Sequence, residues 1–219
     1  MLLFKEIKFL LQKEVLLEWR SKYALNAILL YVISTIFVCY LSFKKIDPIT
    51  WNALFWIIML FASVNAVSKS FSQESKARQL YYYCTCSARS VILSKIIYNI
   101  FLLLPLTLFA LMFYSVVFNN PLGDPYLYVA GVAIGSISFS TVFTMISAIA
   151  SKAGNSGALI AILGFPIIIP LLIVLIKLSK NAMDGLDRTV SYNEMGVLAA
   201  INIIVITASL ILFPYLWRD

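Results

Sequence analysis

Six apolar runs of at least eighteen residues leave this 219-residue chain few folds to choose from. They are Tyr23–Phe43, Thr50–Val67, Val91–Phe118, Tyr126–Ala150, Gly157–Ile176 and Gly196–Leu216. Apart from Lys95, near the start of the third, none contains Asp, Glu, Lys or Arg. A helix of roughly 20 apolar residues crosses a hydrocarbon core of about 30 Å. In lipid every backbone polar group must be satisfied internally, and runs of this length and composition do that as helices. With 62% hydrophobic and 12% charged residues, the chain carries about half the charge of an ordinary soluble domain. The expected fold is an all-α membrane protein with six transmembrane helices, forming a single domain over residues 1–219.

Residues 1–22 are different in kind. Leu3, Phe4, Ile7, Leu10, Leu11, Val15 and Leu17 recur at helical spacing, with Lys5, Lys8 and Gln12 on the other side. The pattern predicts an amphipathic helix in the membrane interface, its basic side toward lipid headgroups. Glu14 and Glu18 fall on the apolar stripe. Two explanations are open: the helix end tilts into water with Glu18 paired to Lys22, or the acids, with Arg20 nearby, face a basic partner surface. Nothing here reads as a cleavable signal, so the spans themselves are expected to direct insertion.

Basic residues then orient the spans. Six crossings put both termini on one side, together with the segment 68–90 and the turn near Lys152. That side holds twelve Lys and Arg residues; the other holds five, namely Lys44, Lys45, Lys177, Lys180 and Arg188. The bias predicts cytoplasmic termini. It also assigns the net charge of +7 to topology and anionic lipid rather than to nucleic acid.

Several chemistries are absent from the sequence. There is no histidine, which removes imidazole metal ligation, histidine-based catalysis and axial histidine ligation of haem by this chain. Cys84 and Cys86 form a C-x-C without the two-residue gap of zinc or redox pairs, and no disulfide framework is implied. No phosphate-binding G-x-x-x-x-G-K-[ST] loop occurs. The acids Asp47, Asp124, Asp184, Asp187 and Glu194 lie outside the runs, the last three in a loop expected from Lys177 to Glu194; in loops solvation is the ordinary state and cation binding the alternative. Ion-coupled transporters keep ionisable groups at membrane depth; their near absence means that any energised work draws on another subunit.

Small and ring-constrained residues mark two spans. Gly131-x-x-x-Gly135, continued by Ser136, Ser138 and Ser140, permits close helix approach, within the bundle or between copies. Pro166 and Pro170 each remove a helix hydrogen bond. They fit a packed, gently kinked helix or a bent element lining a route that changes during function.

Three stretches resemble the CcmB family, the permease subunit of the ABC-type haem exporter of cytochrome c maturation. Glu18-Trp-Arg20-Ser-Lys22 with Ala24-Leu-Asn26-Ala is similar to the lead-in to that family's first span. Trp56, Leu60-Phe61-Ala62, Phe71 and Glu74 resemble its second span and the segment after it. Leu163-Gly164-Phe165-Pro166, continuing to Pro170 and Ile173, resembles its fifth. Arg78 and Ser87 stand near positions where the family usually has glycine and proline.

The resemblance implies an ABC exporter permease in the bacterial inner membrane, without catalytic residues or a firmly bound cofactor. ATP would be bound by a CcmA-type ATPase, and haem would be a handled ligand. Implied partners are that ATPase, CcmC, CcmD, the haem chaperone CcmE and a second copy of the chain. Segment 68–90 would couple to the ATPase through Phe71, Glu74, Arg78 and Leu80; Glu14, Glu18 and Arg20 would mark the interfacial helix; Gly164, Pro166 and Pro170 would mark the kinked fifth span. A permease for a lipid, polysaccharide or drug, and a scaffold that only assembles partners, are the alternatives.

Overall fold

A computed structural model describes residues 2–21, 23–43, 46–67, 70–71, 82, 86–152 and 156–218. Its elements are α1 (Leu2–Ser21), α2 (Tyr23–Ser42), α3 (Pro48–Val67), α4 (Ala88–Phe118), α5 (Pro125–Lys152), α6 (Ser156–Met183), a 3-10 turn (Arg188–Ser191) and α7 (Tyr192–Arg218). There is no strand among the described residues. Helices α2 to α7 are each long and apolar enough to cross a membrane. The six-span, all-helical architecture is therefore present, and the chain is a multi-pass membrane protein.

The helix starts follow from local chemistry. Asp47 accepts from Thr50 N at 3.2 Å, and Pro48 occupies the first helical position of α3, where its missing N–H costs nothing. Ser87 caps α4 by accepting from Ser90 N at 3.3 Å. Both helices thus begin two or three residues before their apolar runs.

Helix α5 is the axis of the bundle. It packs against α3, α4, α6 and α7, and 67% of its span is buried, against 17% for α2 at the periphery. Its glycines explain the closeness. A Cβ on Gly135 would lie 2.7 Å from the Trp56 ring of α3 and 3.1 Å from Leu175 of α6, and one on Gly131 would lie 3.3 Å from Leu178. The small-residue motif is spent inside the chain, not on a copy. Neutral polar groups cross the same core in pairs. Asn202 donates to Ser138 Oγ at 2.8 Å, Asn99 to Thr144 Oγ1 at 2.8 Å, Trp56 Nε1 to Ser179 Oγ at 2.8 Å, and Tyr128 to Asn52 at 3.2 Å.

The fifth run departs from the sequence expectation at its end. Residues 177–194 are expected to be a loop, yet α6 continues to Met183 and α7 begins at Tyr192. Lys177 and Lys180 point outward while Leu178, Ser179 and Ala182 stay buried, so an amphipathic turn extends the apolar helix. Lys177 pairs with Glu194 at 2.8 Å across that end. Within α6, Gly164 is buried toward Ile146 and Phe143 of α5, while Pro166 and Pro170 sit on the exposed face of an uninterrupted helix.

Candidate functional site: a charged junction at the end bearing both termini

Helix α1 and the first turns of α4 run side by side in the same direction, joined by the three glutamates of α1. Glu6 Oε2 accepts from Ser90 Oγ at 2.6 Å, from Ser87 Oγ at 3.0 Å and from Ser87 N at 3.2 Å. Glu14 Oε1 lies 2.9 Å from Lys95 Nζ and 2.9 Å from Lys13 Nζ. Glu18 accepts from Leu25 N at 3.2 Å and from Tyr98 OH at 3.3 Å. Neither α2 nor α4 has an acid in its own first turn. Glu6 and Glu18 supply negative charge at those two N-termini, where unpaired N–H groups and the helix dipole favour it.

In the structure Glu14 and Glu18 turn toward Lys95, Tyr98 and the start of α2; the expected pairing of Glu18 with Lys22 falls on a residue outside the described ones. The reason is that the inward stripe of α1 is Glu6, Leu10, Glu14 and Glu18, and only its Leu10 is a buried hydrophobe. Phe4 is 80% exposed, and Phe9, Val15 and Leu16 are exposed as well, so the outward face of α1 carries apolar residues beside Lys5, Lys8 and Gln12.

Lys95 is the centre of the junction. It is only 4% exposed, and besides Glu14 it donates to the Ser70 carbonyl at 2.7 Å and stands 5.5 Å from the centre of the Phe71 ring. Asn99, one turn on, donates to Ser70 Oγ at 3.2 Å. Lys13 reaches Tyr82, donating to its hydroxyl with the ammonium 4.5 Å from the ring centre. Burial alone would raise the Glu14 carboxyl, but the Lys95 and Lys13 ammonium groups outweigh it and hold the group below its ordinary value. The Ser90 hydroxyl, followed by the Ser87 amide, lowers the Glu6 carboxyl.

Phe71 itself is 6% exposed and packs on Phe213 of α7 with ring centres 5.5 Å apart; Phe213 in turn contacts Trp217 at 5.4 Å. Its ring therefore anchors the start of the segment to the bundle. Glu74, Arg78 and Leu80, and the side chain of Arg20, lie outside the described residues. Pro166 and Pro170 are not brought to this junction. Among the described residues no group of three His, Cys, Asp or Glu side chains is placed to hold a metal ion.

The model of the CcmB protein family matches residues 5–215. The chain belongs to the CcmB family. No curated protein and no solved structure is detectably similar to it. The match spans α1, the junction and every span, so the membrane permease of haem-exporter ABC systems is the family to which this architecture belongs. Sequence reasoning about this CcmB chain overlooked Lys95, Ser70 and Tyr82. One signal was available for Lys95: on helical wheels, Glu6, Glu14 and Glu18 share a face, as do Ser87, Ser90, Lys95 and Tyr98.

Proposed function

We propose that this CcmB-family chain is the membrane subunit of an ABC system for cytochrome c maturation, moved by ATP hydrolysis on a CcmA-type ATPase. The work done is export of haem or release of the haem-loaded chaperone CcmE, with CcmC and CcmD as further partners and a second copy of the chain beside it. Haem is substrate here, not a resident cofactor. The family match over residues 5–215 carries the reading. Two features support it. Polar pairs in the bundle core are neutral amides and hydroxyls, which do not titrate and so carry no coupling proton at membrane depth as ionisable groups do. The segment after α3 is clamped to the bundle at both ends by Ser70, Phe71 and Tyr82, as a surface that transmits force must be.

In this reading the chain has no catalytic residues, sits in the inner membrane and keeps both termini on the cytoplasmic side, consistent with its charge bias. The test is a pull-down from native membranes combined with a deletion strain. The reading requires an ATPase and haem-handling proteins to co-purify, and c-type cytochromes to disappear on deletion. A strain that keeps its c-type cytochromes but loses another exported molecule would transfer the chain to a different substrate.

A further inference from the structure

The junction holds more than one helix in place. Three contacts tie α1 to α4 in register, at Ser87 and Ser90, at Lys95 and at Tyr98, over about three turns. Helix α4 has 31 residues, so at about 1.5 Å per residue it is roughly 46 Å long, well beyond a hydrocarbon core of about 30 Å. The surplus is long enough to hold the turns that α1 accompanies. The segment between α3 and α4 meets this pair at both of its ends. Its start is held by Lys95 through the Ser70 carbonyl, and its far end by Lys13 on Tyr82 and Glu6 on Ser87. From Ser70 the contacts continue through Asn99 to Thr144 of α5, the axis of the bundle.

We infer that Lys95 is a latch binding the segment after α3 to a two-helix lever made of α1 and the first turns of α4. A displacement of the segment then moves both helices together. The inference rests on the reading of the chain as an ATPase-driven permease and adds how the drive enters the membrane. Lys95 acts as a positioning residue. Its ammonium does two tasks at once: the charge holds Glu14 of α1, and an N–H holds Ser70. A side chain with neither charge nor donor, as in Lys95→Met, does neither. A carboxylate at 95 facing a lysine at 14 restores the first task without the second, because a carboxylate has no proton to donate to the Ser70 carbonyl.

The tests use the full chain with its co-purifying ATPase in lipid nanodiscs, and cytochrome c content in cells. Lys95→Met is expected to leave the ATPase bound and hydrolysing ATP while cytochrome c falls at least tenfold. Lys95→Arg, which keeps charge and donors, is expected to retain most of it. The exchange Glu14→Lys with Lys95→Glu is expected to restore chain abundance without restoring output. Wild-type output from Lys95→Met or from the exchanged pair overturns the latch.

The lever is read without touching Lys95. Spin labels at Lys8→Cys on α1 and Ile97→Cys on α4, with Cys39, Cys84 and Cys86 replaced by serine, are expected to keep one distance with and without ATP. A distance that changes with nucleotide overturns the lever even if every Lys95 variant folds poorly. Absence of any ATPase from the wild-type preparation would instead sink the proposed function, so the two failures are distinguishable.

Discussion

The two ends of the bundle are closed by different forces. At the end bearing the termini, ions do the work: Lys95 and Glu14 have side chains 5% and 13% exposed, and they join α1, α4 and the segment after α3. At the opposite end the backbone does it. Gly123 N donates to the Met183 carbonyl at 3.2 Å and Asp124 N to Ala182 at 2.8 Å, so the loop before α5 is stitched directly to the end of α6. The ion pair beside that seam, Arg188 with Asp124 at 2.7 Å, leaves its arginine side chain 59% exposed. A backbone seam fixes one geometry. A buried ion cluster ties separate elements together through their side chains, so that they move as one, which suits the end expected to receive a push.

Removing one partner of a buried pair strands the other charge, at a cost of about 3–5 kcal/mol. Lys95→Met is therefore expected to lower the thermal midpoint of the detergent-purified chain by about 10 °C, the largest effect of a single substitution at either end. Gly123→Ala comes next. Its Cβ would lie 2.7 Å from the Met183 carbonyl oxygen and 2.8 Å from Gly185 N, both backbone atoms, so the seam must part at a cost of about 1–3 kcal/mol. A midpoint unmoved by that substitution would contradict the backbone account of this end.

Acid separates the ends further. The Glu14 carboxyl is held below its ordinary value of 4.5, so its contribution is complete above that pH and is lost as pH falls through the lower, folded-state value. Stability should drop below about pH 4.5 in the parent chain and drop less in Glu14→Gln, as followed by the thermal midpoint. Smallest of all, Arg188→Ala should leave the midpoint within measurement error, because an ion pair this exposed contributes little.

The spans were legible because the hydrophobic requirement of a bilayer is local: each run declares itself without reference to any other. Cap chemistry at Asp47 and Ser87 was local too, though the apolar runs drew attention past it. The loop expected over residues 177–194 failed for a specific reason. Lys177 and Lys180 look like loop residues in isolation, and only the packing of Leu178 on Gly131 shows that they decorate a continuing helix. The junction was harder still. Glu14 and Lys95 are eighty-one residues apart, and the helical faces that carry them, though visible in the sequence, do not say that they meet. Phe71 was visible through family resemblance, while its partner Phe213, far along the chain, was not.

The central claim is that Glu14 and Lys95 act as one unit. A double-mutant cycle of Glu14→Gln and Lys95→Met, read as stability in one detergent at neutral pH, measures that directly. The account expects a coupling of about 2 kcal/mol or more, with the double variant losing little beyond the worse single one. Additive losses, with a coupling below about 0.5 kcal/mol, would contradict it.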